Sequence, residues 1–443
     1  GDGRDELIVT NYGQDRLLRN LGPSADGVPR FADVTAAVGL ADLNSFSTNC
    51  AFADLDRDGD LDLYVATYVD VGYDRHPTCG DAARGIASYC RPLVFDGQPD
   101  RLWVQQRAAD GAIRFRDEAA ARGLHAGRDD RAFGVIVDDL DHDGAPDVLV
   151  AVDGTANRVY RNDGRGHFRD IALRLGLAVN RDGRAEAGMG QALGDLDGDG
   201  RDELIVTNYA YETHTVYRAD ADGFFDDRTG EHALAAASWR GVGWGVQLFD
   251  ADNDGDLDLA VAQGHVMDNI DRFEDGIGYP QPNLLFENRD GRLVDVTAQA
   301  GFGAARVSRA LAVGDWNDDG WLDLLVTTAD GRPQVLENAG AARHGNRHWL
   351  RLTLRGGPGD PFALGARVEM RCGEAGDPLM RLPARTVRSG GSLLAQDDLR
   401  LHVGLGSCTG PVVGAIHWPD GAVQALRVDA VDRTVTIVRD VVR

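Results

Sequence analysis

The stretch Asp54-Leu55-Asp56-Arg57-Asp58-Gly59-Asp60-Leu61-Asp62 decides the fold of this chain, and the apolar run Leu63-Tyr64-Val65-Ala66 follows it directly. The same nine-residue pattern returns at 139–147, 195–203, 250–258 and 315–323. The opening twelve residues, Gly1–Tyr12, are identical to Gly198–Tyr209, so the chain begins within a further copy. Each copy is an acidic loop that leads into an apolar segment of strand length.

The loop carries Asp or Asn at positions 1, 3 and 5, Gly at position 6, and Asp or Glu at position 9. Hard divalent cations such as Ca²⁺ bind six to eight oxygen ligands at about 2.3–2.6 Å. Alternate carboxylates, the backbone carbonyl of position 7 and the closing carboxylate supply such a set. A helix-flanked calcium loop needs Glu at position 12, but Val occupies that position in every intact copy. The loop therefore closes at position 9 and enters a strand.

This pattern predicts about five calcium sites. The alternative is an Asp-Gly turn without a metal, since both residues favour turns. Turn propensity alone does not require acids at positions 1, 3, 5 and 9, and so many carboxylates would repel one another without a cation. The predicted ligands are Asp54, Asp56, Asp58, Asp60 and Asp62; Asp139, Asp141, Asp143, Ala145 and Asp147; Asp195, Asp197, Asp199, Arg201 and Glu203; Asp250, Asp252, Asp254, Asp256 and Asp258; and Asp315, Asn317, Asp319, Trp321 and Asp323.

The negative charge of the chain is concentrated in these loops. The 443 residues carry a net charge of −25, and the six loops hold 26 of the 71 acidic residues. Nucleic-acid binding needs a basic face, so this class of partner is excluded. No apolar run reaches the roughly 18 residues of a membrane span. We expect a monomer whose ligand is a protein or a glycan.

The five cysteines are placed in two pairs with one left over. Cys79 and Cys90 flank an insertion, Cys372 and Cys408 lie in the last hundred residues, and Cys50 stands alone. We interpret the pairs as disulfides of an oxidising compartment, and the alternative is five inert thiols. The predicted location is secreted, cell-surface or periplasmic. Because the chain begins within a repeat, a missing signal peptide does not bear on this prediction.

Each unit of the repeat contains four short strand candidates. The acidic loop precedes one strand, a second strand ends in Asn (Asn20, Asn162, Asn288), and a third segment and a final apolar strand follow. Four strands separated by turns are typical of a β-propeller blade, with a solenoid as the rival arrangement. We expect seven blades, with six as the alternative. Two insertions, 73–92 and 265–282, are either binding elements or plain ornaments.

The pattern changes at His344. No acidic loop follows, and residues 344–443 hold 13 Arg against 10 acidic residues. We predict a propeller over 1–343 and a separate small all-β domain over 344–443. Its predicted strands are Trp349–Leu354, Ala366–Arg371, Arg385–Val387, Leu399–Val403, Val413–Trp418 and Thr434–Val438.

The acidic loop-strand units resemble the FG-GAP/VCBS repeats of integrin-like propellers. The segments Gly345–Leu352, Gly365–Val368, Val387–Ser392, His402–Gly406 and Trp418–Gly421 resemble the ASPIC/UnbV domain. Together they are similar to bacterial relatives of the cartilage acidic protein family. The resemblance implies a secreted, calcium-loaded propeller with a C-terminal β domain. The chain lacks an EGF-like cysteine-dense tail and an Arg-Gly-Asp sequence, so integrin-type adhesion is not implied.

The chain contains none of the common catalytic motifs. There is no His-Glu-x-x-His, no Gly-x-Ser-x-Gly and no phosphate-binding Gly loop. The one histidine cluster singled out is His265 with Met267 and Asp268. We therefore expect a non-catalytic, extracellular calcium-binding module for binding or adhesion. The alternative is a hydrolase, lyase or oxidoreductase with its active site at the propeller axis.

Overall fold

The computed structural model describes residues 4–40, 45–109, 111–124, 130–373 and 380–440. The described part of residues 4–336 forms six antiparallel sheets of three to five strands in chain order, here numbered sheets 1 to 6, and two short two-stranded pairs. This confirms the predicted all-β propeller, while the number of blades stays a prediction. The strands are Leu7–Val9, Arg16–Pro23 and Pro29–Asp33 in sheet 1; Ser45–Ala53, Asp62–Thr67, Arg101–Arg107 and Ile113–Asp117 in sheet 2, with Tyr12–Gly13 added at its edge; Ala132–Asp138, Asp147–Val152, Arg158–Asn162 and Phe168–Asp170 in sheet 3; Gln191–Gly194, Glu203–Val206, Thr215–Ala219 and Phe225–Asp227 in sheet 4; Gly243–Phe249, Asp258–Gln263, Leu284–Arg289 and Arg292–Asp295 in sheet 5; and Ser308–Gly314, Asp323–Thr328 and Gln334–Leu336 in sheet 6.

Each sheet packs its faces against the neighbouring sheets. One buried apolar cluster lies between each pair of successive sheets, for example the cluster of Tyr64, Val135 and Val150 between sheets 2 and 3. Similar clusters join sheets 3 and 4, 4 and 5, 5 and 6, and 1 and 2. The first strands of sheets 2 to 6 contact one another in succession and surround the axis. The core is thus divided among the sheet interfaces, as expected for repeated units that bury their faces against neighbours.

The two ends of the propeller differ. Every acidic loop precedes the second strand of its sheet, so all five lie at one end, the acidic face. Both insertions follow a second strand and lie at the opposite end, the insertion face. The first contains a hairpin of Cys79–Asp81 and Ile86–Ser88 and a turn of 3-10 helix, Pro92–Val94, and the predicted Cys79–Cys90 disulfide closes it. The second contains the 3-10 turn Ile270–Arg272 and the strand Gln281–Pro282, which pairs with Ala305–Arg306.

The C-terminal strands form two further sheets with a common core around Leu352, Val368 and Ile416. The predicted Cys372–Cys408 disulfide is present, and Cys50 is free. Strand Val423–Val428 was missed by the sequence prediction, and Met380–Thr386 extends well before the predicted Arg385–Val387. The strands are His348–Arg355, Leu401–Gly406 and Arg433–Val438 in one sheet, and Arg367–Cys372, Met380–Thr386, Val412–His417 and Val423–Val428 in the other.

The remaining regular structure consists of short turns. No helix among the described residues is long and apolar enough to cross a membrane. The helices are the α-helices Ala172–Leu175, Leu234–Ser238, Thr297–Ala300 and Gly340–His344 and a third 3-10 turn, Thr229–Glu231.

In sheets 3, 5 and 6, an asparagine at or near the end of the third strand joins two neighbouring acidic loops. The Asn288 side chain donates to the carbonyl of Leu196 at 2.7 Å, in the loop of the preceding sheet, and to the carbonyl of Leu257 at 3.0 Å, in the loop of its own sheet. Asn162 and Asn338 make the same pair of contacts in sheets 3 and 6. One buried amide therefore ties the loop ends of adjacent sheets together.

We predict that Asn288→Ala lowers the free energy of unfolding by about 1–3 kcal/mol, because it leaves two buried carbonyls unpaired. Ala219 occupies the equivalent place in sheet 4, so alanine itself suits the strand. Urea unfolding measures the effect, and the exposed Gln106→Ala serves as control. Equal urea midpoints for the two variants would show that the Asn288 side chain does not stabilise the packing of the sheets.

Candidate metal centres

The backbone of each acidic loop turns back on itself at positions 4 and 6. Position 4 has a left-handed φ between 56° and 74° in all five loops, although only one of these residues is glycine. Position 6 is glycine with φ between 86° and 104°, a region that costs other residues steric strain. These two residues coil the loop and bring the side chains of positions 1, 3 and 5 together. His142 at position 4 is exposed.

The first carboxylate of each loop holds this conformation. Asp139 accepts the N–H of Asp143 at 3.0 Å and that of Gly144 at 2.8 Å. Asp54, Asp250 and Asp315 accept from their own positions 5 and 6 in the same way. The carboxylate of position 1 therefore has a structural role besides any metal ligation.

The closing acid at position 9 connects the loop to its sheet. Asp258 accepts the N–H of Ala251 at 2.9 Å within the loop and the N–H of Asn288 at 2.8 Å on the third strand. Asp62 makes the equivalent pair of contacts with Leu55 and Gln105. These acids are almost fully buried in all five loops, which predicts that they are fixed before any ion binds.

In each of four loops, three carboxylates converge closely enough to bind one cation. In each, one oxygen from each of the acids at positions 1, 3 and 5 lies within 4.8 Å of the others. The four clusters are Asp54, Asp56 and Asp58; Asp139, Asp141 and Asp143; Asp195, Asp197 and Asp199; and Asp250, Asp252 and Asp254. In the fifth loop, Asn317 replaces the acid at position 3 and donates to Asp319 at 3.0 Å.

The electrostatics of the closing acids favour a cation. Burial, together with the neighbouring carboxylates, raises the pKa of Asp62 to about 7 and the pKa values of Asp147 and Glu203 to about 8. A bound cation acts in the opposite direction and favours the ionised form.

Several loop oxygens are buried without a hydrogen-bond partner among the described residues. At positions 1, 3 and 9 they are Asp56 Oδ1, Asp195 Oδ1, Glu203 Oε1 and Asp323 Oδ2. Buried polar atoms without a partner are rare and costly. Together with the convergent carboxylates, they fit a hard cation that takes oxygen ligands. Position 7 would contribute its carbonyl only, since its side chains differ from loop to loop and Asp60, for example, pairs with Arg107 at 2.6 Å.

The C-terminal sheets dock on the acidic face, which the sequence analysis did not anticipate. Arg351 is buried and pairs with Asp315, Arg388 pairs with Asp138 and Asp202, and Arg347 pairs with Asp252. The N–H of Gly404 also donates to Asp250 Oδ2 at 3.0 Å. The excess of arginine after His344 was the available signal, because a basic segment beside an acidic one predicts attraction between them.

His265, the histidine singled out from the sequence, is buried and part of the packing of the insertion face. Its Nδ1 accepts the N–H of Met267 at 3.0 Å, and its Nε2 lies 3.1 Å from the Tyr209 hydroxyl. Burial lowers its pKa to about 4. The imidazole ring is therefore neutral, and both of its nitrogens have partners within the protein.

Comparisons with protein families agree with this arrangement. A model of FG-GAP-like repeats matches residues 1–65, 139–206 and 195–261, and a model of the ASPIC and UnbV domain matches residues 356–442. Cartilage acidic protein 1 of Mus musculus is 25% identical over 447 residues, and the Homo sapiens protein is 24% identical. The alignments cover 95% of this chain but only 60% and 58% of those relatives.

Two solved structures align at lower similarity. One is the Dos1 propeller, with a TM-score of 0.34 and 12% identity, covering 75% of this chain and 72% of that one. The other is an Agrocybe aegerita lectin that recognises terminal N-acetylglucosamine, with a TM-score of 0.36 and 14% identity, covering 76% and 91%.

We predict that, in excess chelator, Asp250→Ala destabilises the protein more than Asp139→Ala. Both variants lose the two loop N–H contacts, but Asp250 also accepts Gly404 from the C-terminal sheets, and an unpaired buried donor costs about 1–3 kcal/mol. Chemical unfolding of the two variants in parallel measures the difference. Equal losses would show that the contact between Gly404 and Asp250 contributes nothing.

Proposed function

We propose that this chain, a relative of cartilage acidic protein 1 built from FG-GAP-like repeats and an ASPIC and UnbV domain, is an extracellular calcium-binding module that binds a protein or glycan without catalysis. In this proposal Ca²⁺ occupies the acidic loops and fixes the entry of each second strand. The relatives are longer than the chain, so their further properties are not transferred to it. We also propose the domain division 1–343 and 344–443.

The observation that carries the calcium proposal is the repetition of one cluster. Three carboxylates converge within 4.8 Å at the same place in four successive sheets, and each cluster lies beside a buried closing acid. Unpartnered loop oxygens accompany them. A single acidic turn would be unremarkable, but the same ligand geometry in sheets 2 to 5 is typical of a repeated ion site.

Two disulfides support an extracellular or periplasmic location. Cys79–Cys90 and Cys372–Cys408 lie in different parts of the molecule, so oxidation is not confined to one site. Such bonds persist in oxidising compartments and are rare in the cytosol.

The insertion face is the proposed ligand-binding surface. The two insertions meet where the Asn269 side chain donates to the carbonyl of Ala87 at 2.9 Å. Tyr73 is 94% exposed and Tyr89 is 60% exposed on the disulfide-closed insertion. Exposed tyrosines offer a rigid apolar face with a polar tip, which suits recognition. The acidic face is covered in part by the C-terminal sheets and is less suited to this role.

The cavity at the propeller axis is small for the alternative, an active site at that place. Residues 388–398 enter the axis, and the cavity left between them and the first strands has a volume of about 170 Å³. Pockets for small-molecule ligands usually measure about 300–1,000 Å³. We therefore propose no second function.

We predict that removing calcium with a chelator lowers the melting temperature by roughly 10 °C or more. An ion at 100 times its Kd stabilises the folded state by about 2.7 kcal/mol per site, and 1 kcal/mol shifts the melting temperature of a large domain by about 2–4 °C. Differential scanning calorimetry with and without chelator measures the shift. A melt that does not respond to calcium would contradict the proposal.

Asp141→Ala provides the matched control for this effect. The Asp141 side chain contacts Arg161 and accepts no backbone hydrogen bond in the described part of the chain. Asp141→Ala should lower the number of bound ions, measured by calorimetric titration, by one. The melting temperature in excess chelator should stay unchanged. The exposed Asp222→Ala, outside the acidic loops, should change neither quantity.

An array of glycans or extracellular proteins would first identify ligands that bind the unaltered protein. We predict that the double variant Tyr73→Ser, Tyr89→Ser no longer binds these ligands. The melting temperature should stay unchanged, because both side chains are exposed. Val423→Ser, exposed on a C-terminal strand, serves as control. Undiminished binding by the double variant would place the ligand elsewhere on the molecule.

A further inference from the structure

A segment of the C-terminal domain runs into the axis of the propeller from the acidic face. At its start, the Arg388 side chain pairs with Asp138 and Asp202 and donates to the carbonyl of Leu193 at 2.7 Å. Five residues later, Leu393 is fully buried at the insertion end among Phe133, Met189 and Trp244.

The segment then returns to the acidic end. Asp397 accepts the N–H of Val313 at 2.8 Å, and the N–H of Asp398 donates to the carbonyl of Val313 at 3.2 Å. Residues 388–398 therefore enter the axis, reach its far end and come back. We call them the axial segment.

The axial segment hydrogen-bonds to the first strand of each of sheets 2 to 6. In sheet 2 the N–H of Phe52 donates to Ser389 Oγ at 3.0 Å, and in sheet 3 the carbonyl of Val135 accepts the N–H of Gly391 at 2.7 Å. In sheet 6, Val313 bonds to the segment as described above. The edges of five first strands, which would otherwise present unpaired backbone groups to the axis, are thus given partners.

Ser392 joins three sheets. Its backbone exchanges two hydrogen bonds with Gln191 of sheet 4, at 2.6 and 3.1 Å. Its hydroxyl accepts the N–H of Val246 of sheet 5 at 3.3 Å and donates to the carbonyl of Leu311 of sheet 6 at 2.7 Å. The side chain is 1% exposed. One residue therefore bridges consecutive sheets that share no strand pairing.

The backbone of the axial segment adopts a conformation that its own sequence does not favour. Gly390, Gly391, Ser392 and Leu394 all have positive φ, and the values for Ser392 and Leu394 are 50° and 55°. Such strain persists only where the surrounding structure holds it. The segment is therefore shaped by the first strands around it.

No strand pair among the described residues connects sheet 1 with sheet 6. The described sheets are therefore held side by side by the buried clusters between them and by contacts such as those of the axial segment. The axial segment supplies contacts to five of the six sheets from a single point. It is also covalently continuous with the C-terminal core, through the strands Met380–Thr386 and Leu401–Gly406 on either side.

We propose that the axial segment is an intramolecular clasp, through which the C-terminal domain holds the sheets of the propeller together so that both parts unfold as one unit. The clasp acts through Ser389, Gly391, Ser392 and Asp397, which bond to the first-strand edges, and through Arg388 and Leu393, which anchor its start and its turning point. This inference is independent of calcium and of the ligand.

Two adjacent glycines give a matched test. A Cβ at Gly390 would lie 2.6 Å from the carbonyl oxygen of Val135 and 3.0 Å from Ala51, whereas a Cβ at Gly391 would meet nothing closer than 3.9 Å. Their φ values are 85° and 84°, so the intrinsic strain of alanine is the same at both. Gly390→Ala should push the clasp away from the first strands, and Gly391→Ala should not.

Hydrogen exchange of the full chain is the measurement. In Gly390→Ala the amides of Phe52, Val246 and Val313 should exchange at least tenfold faster than in Gly391→Ala. Amides of the C-terminal strand around Leu352 and of sheet 5 around Leu259 should open at one common rate in the unaltered protein and at separate rates in Gly390→Ala. Equal exchange in the two variants, or separate opening in the unaltered protein, would overturn the proposal.

Ser392→Ala covers the case in which Gly390→Ala does not fold. It keeps the backbone contacts with Gln191 and removes the hydroxyl, so the amide of Val246 should exchange faster and the amide of Gln191 should not. Unchanged exchange at Val246 would contradict the bridging role of Ser392, and equal acceleration at both amides would show general loosening instead of a clasp.

Discussion

Repulsion among carboxylates packed within 4.8 Å of one another is the constraint on which the rest of this structure depends. In each acidic loop, backbone N–H donors at positions 5 and 6 and nearby arginines offset this repulsion, and in our proposal a cation does so as well. The carboxylate of position 1 is held by backbone N–H donors of its own loop, and the buried closing acid is bonded to the third strand. The fold therefore fixes the acids of positions 1 and 9, which flank the place of the proposed cation.

The same charge determines how the two halves of the chain meet. The C-terminal domain places arginines against the acidic face and sends residues 388–398 into the axis behind them. Arg388 takes part in both, since it pairs with Asp138 and Asp202 and donates to the first strand of sheet 4. The excess of arginine after His344 and the excess of acid before it are thus two sides of one interface.

The sequence predicted the features that are local and repeated. The all-β propeller was predicted from acids at fixed spacing, glycine at position 6 and the apolar segment after each loop. The same pattern identified the carboxylates that converge. Both cysteine pairs were also correct. The left-handed conformation of position 4 was not predicted, although His142, Asn253 and Asp318 belong to residue types enriched in that conformation; only Arg57 gives no such signal. The strand Val423–Val428 was missed because its alternating pattern is short and borders a turn.

Features that depend on distant parts of the chain were beyond sequence patterns. Asn162 and Asn288 were noted as strand ends, but their partners lie 107 and 92 residues away. The Gly390-Gly391-Ser392 segment was singled out only for its resemblance to the ASPIC/UnbV domain, and the folded structure shows what it contacts. The acidic loops remain the centre of the account, and their occupancy is its central claim.

A calcium titration by calorimetry on chelator-stripped protein tests that claim most directly. The account predicts about five bound ions per chain, one for each intact loop, and four of these loops bring three carboxylates together. Few or no bound ions would show that the loops are turns held by backbone and arginine contacts alone, and the calcium proposal would fall.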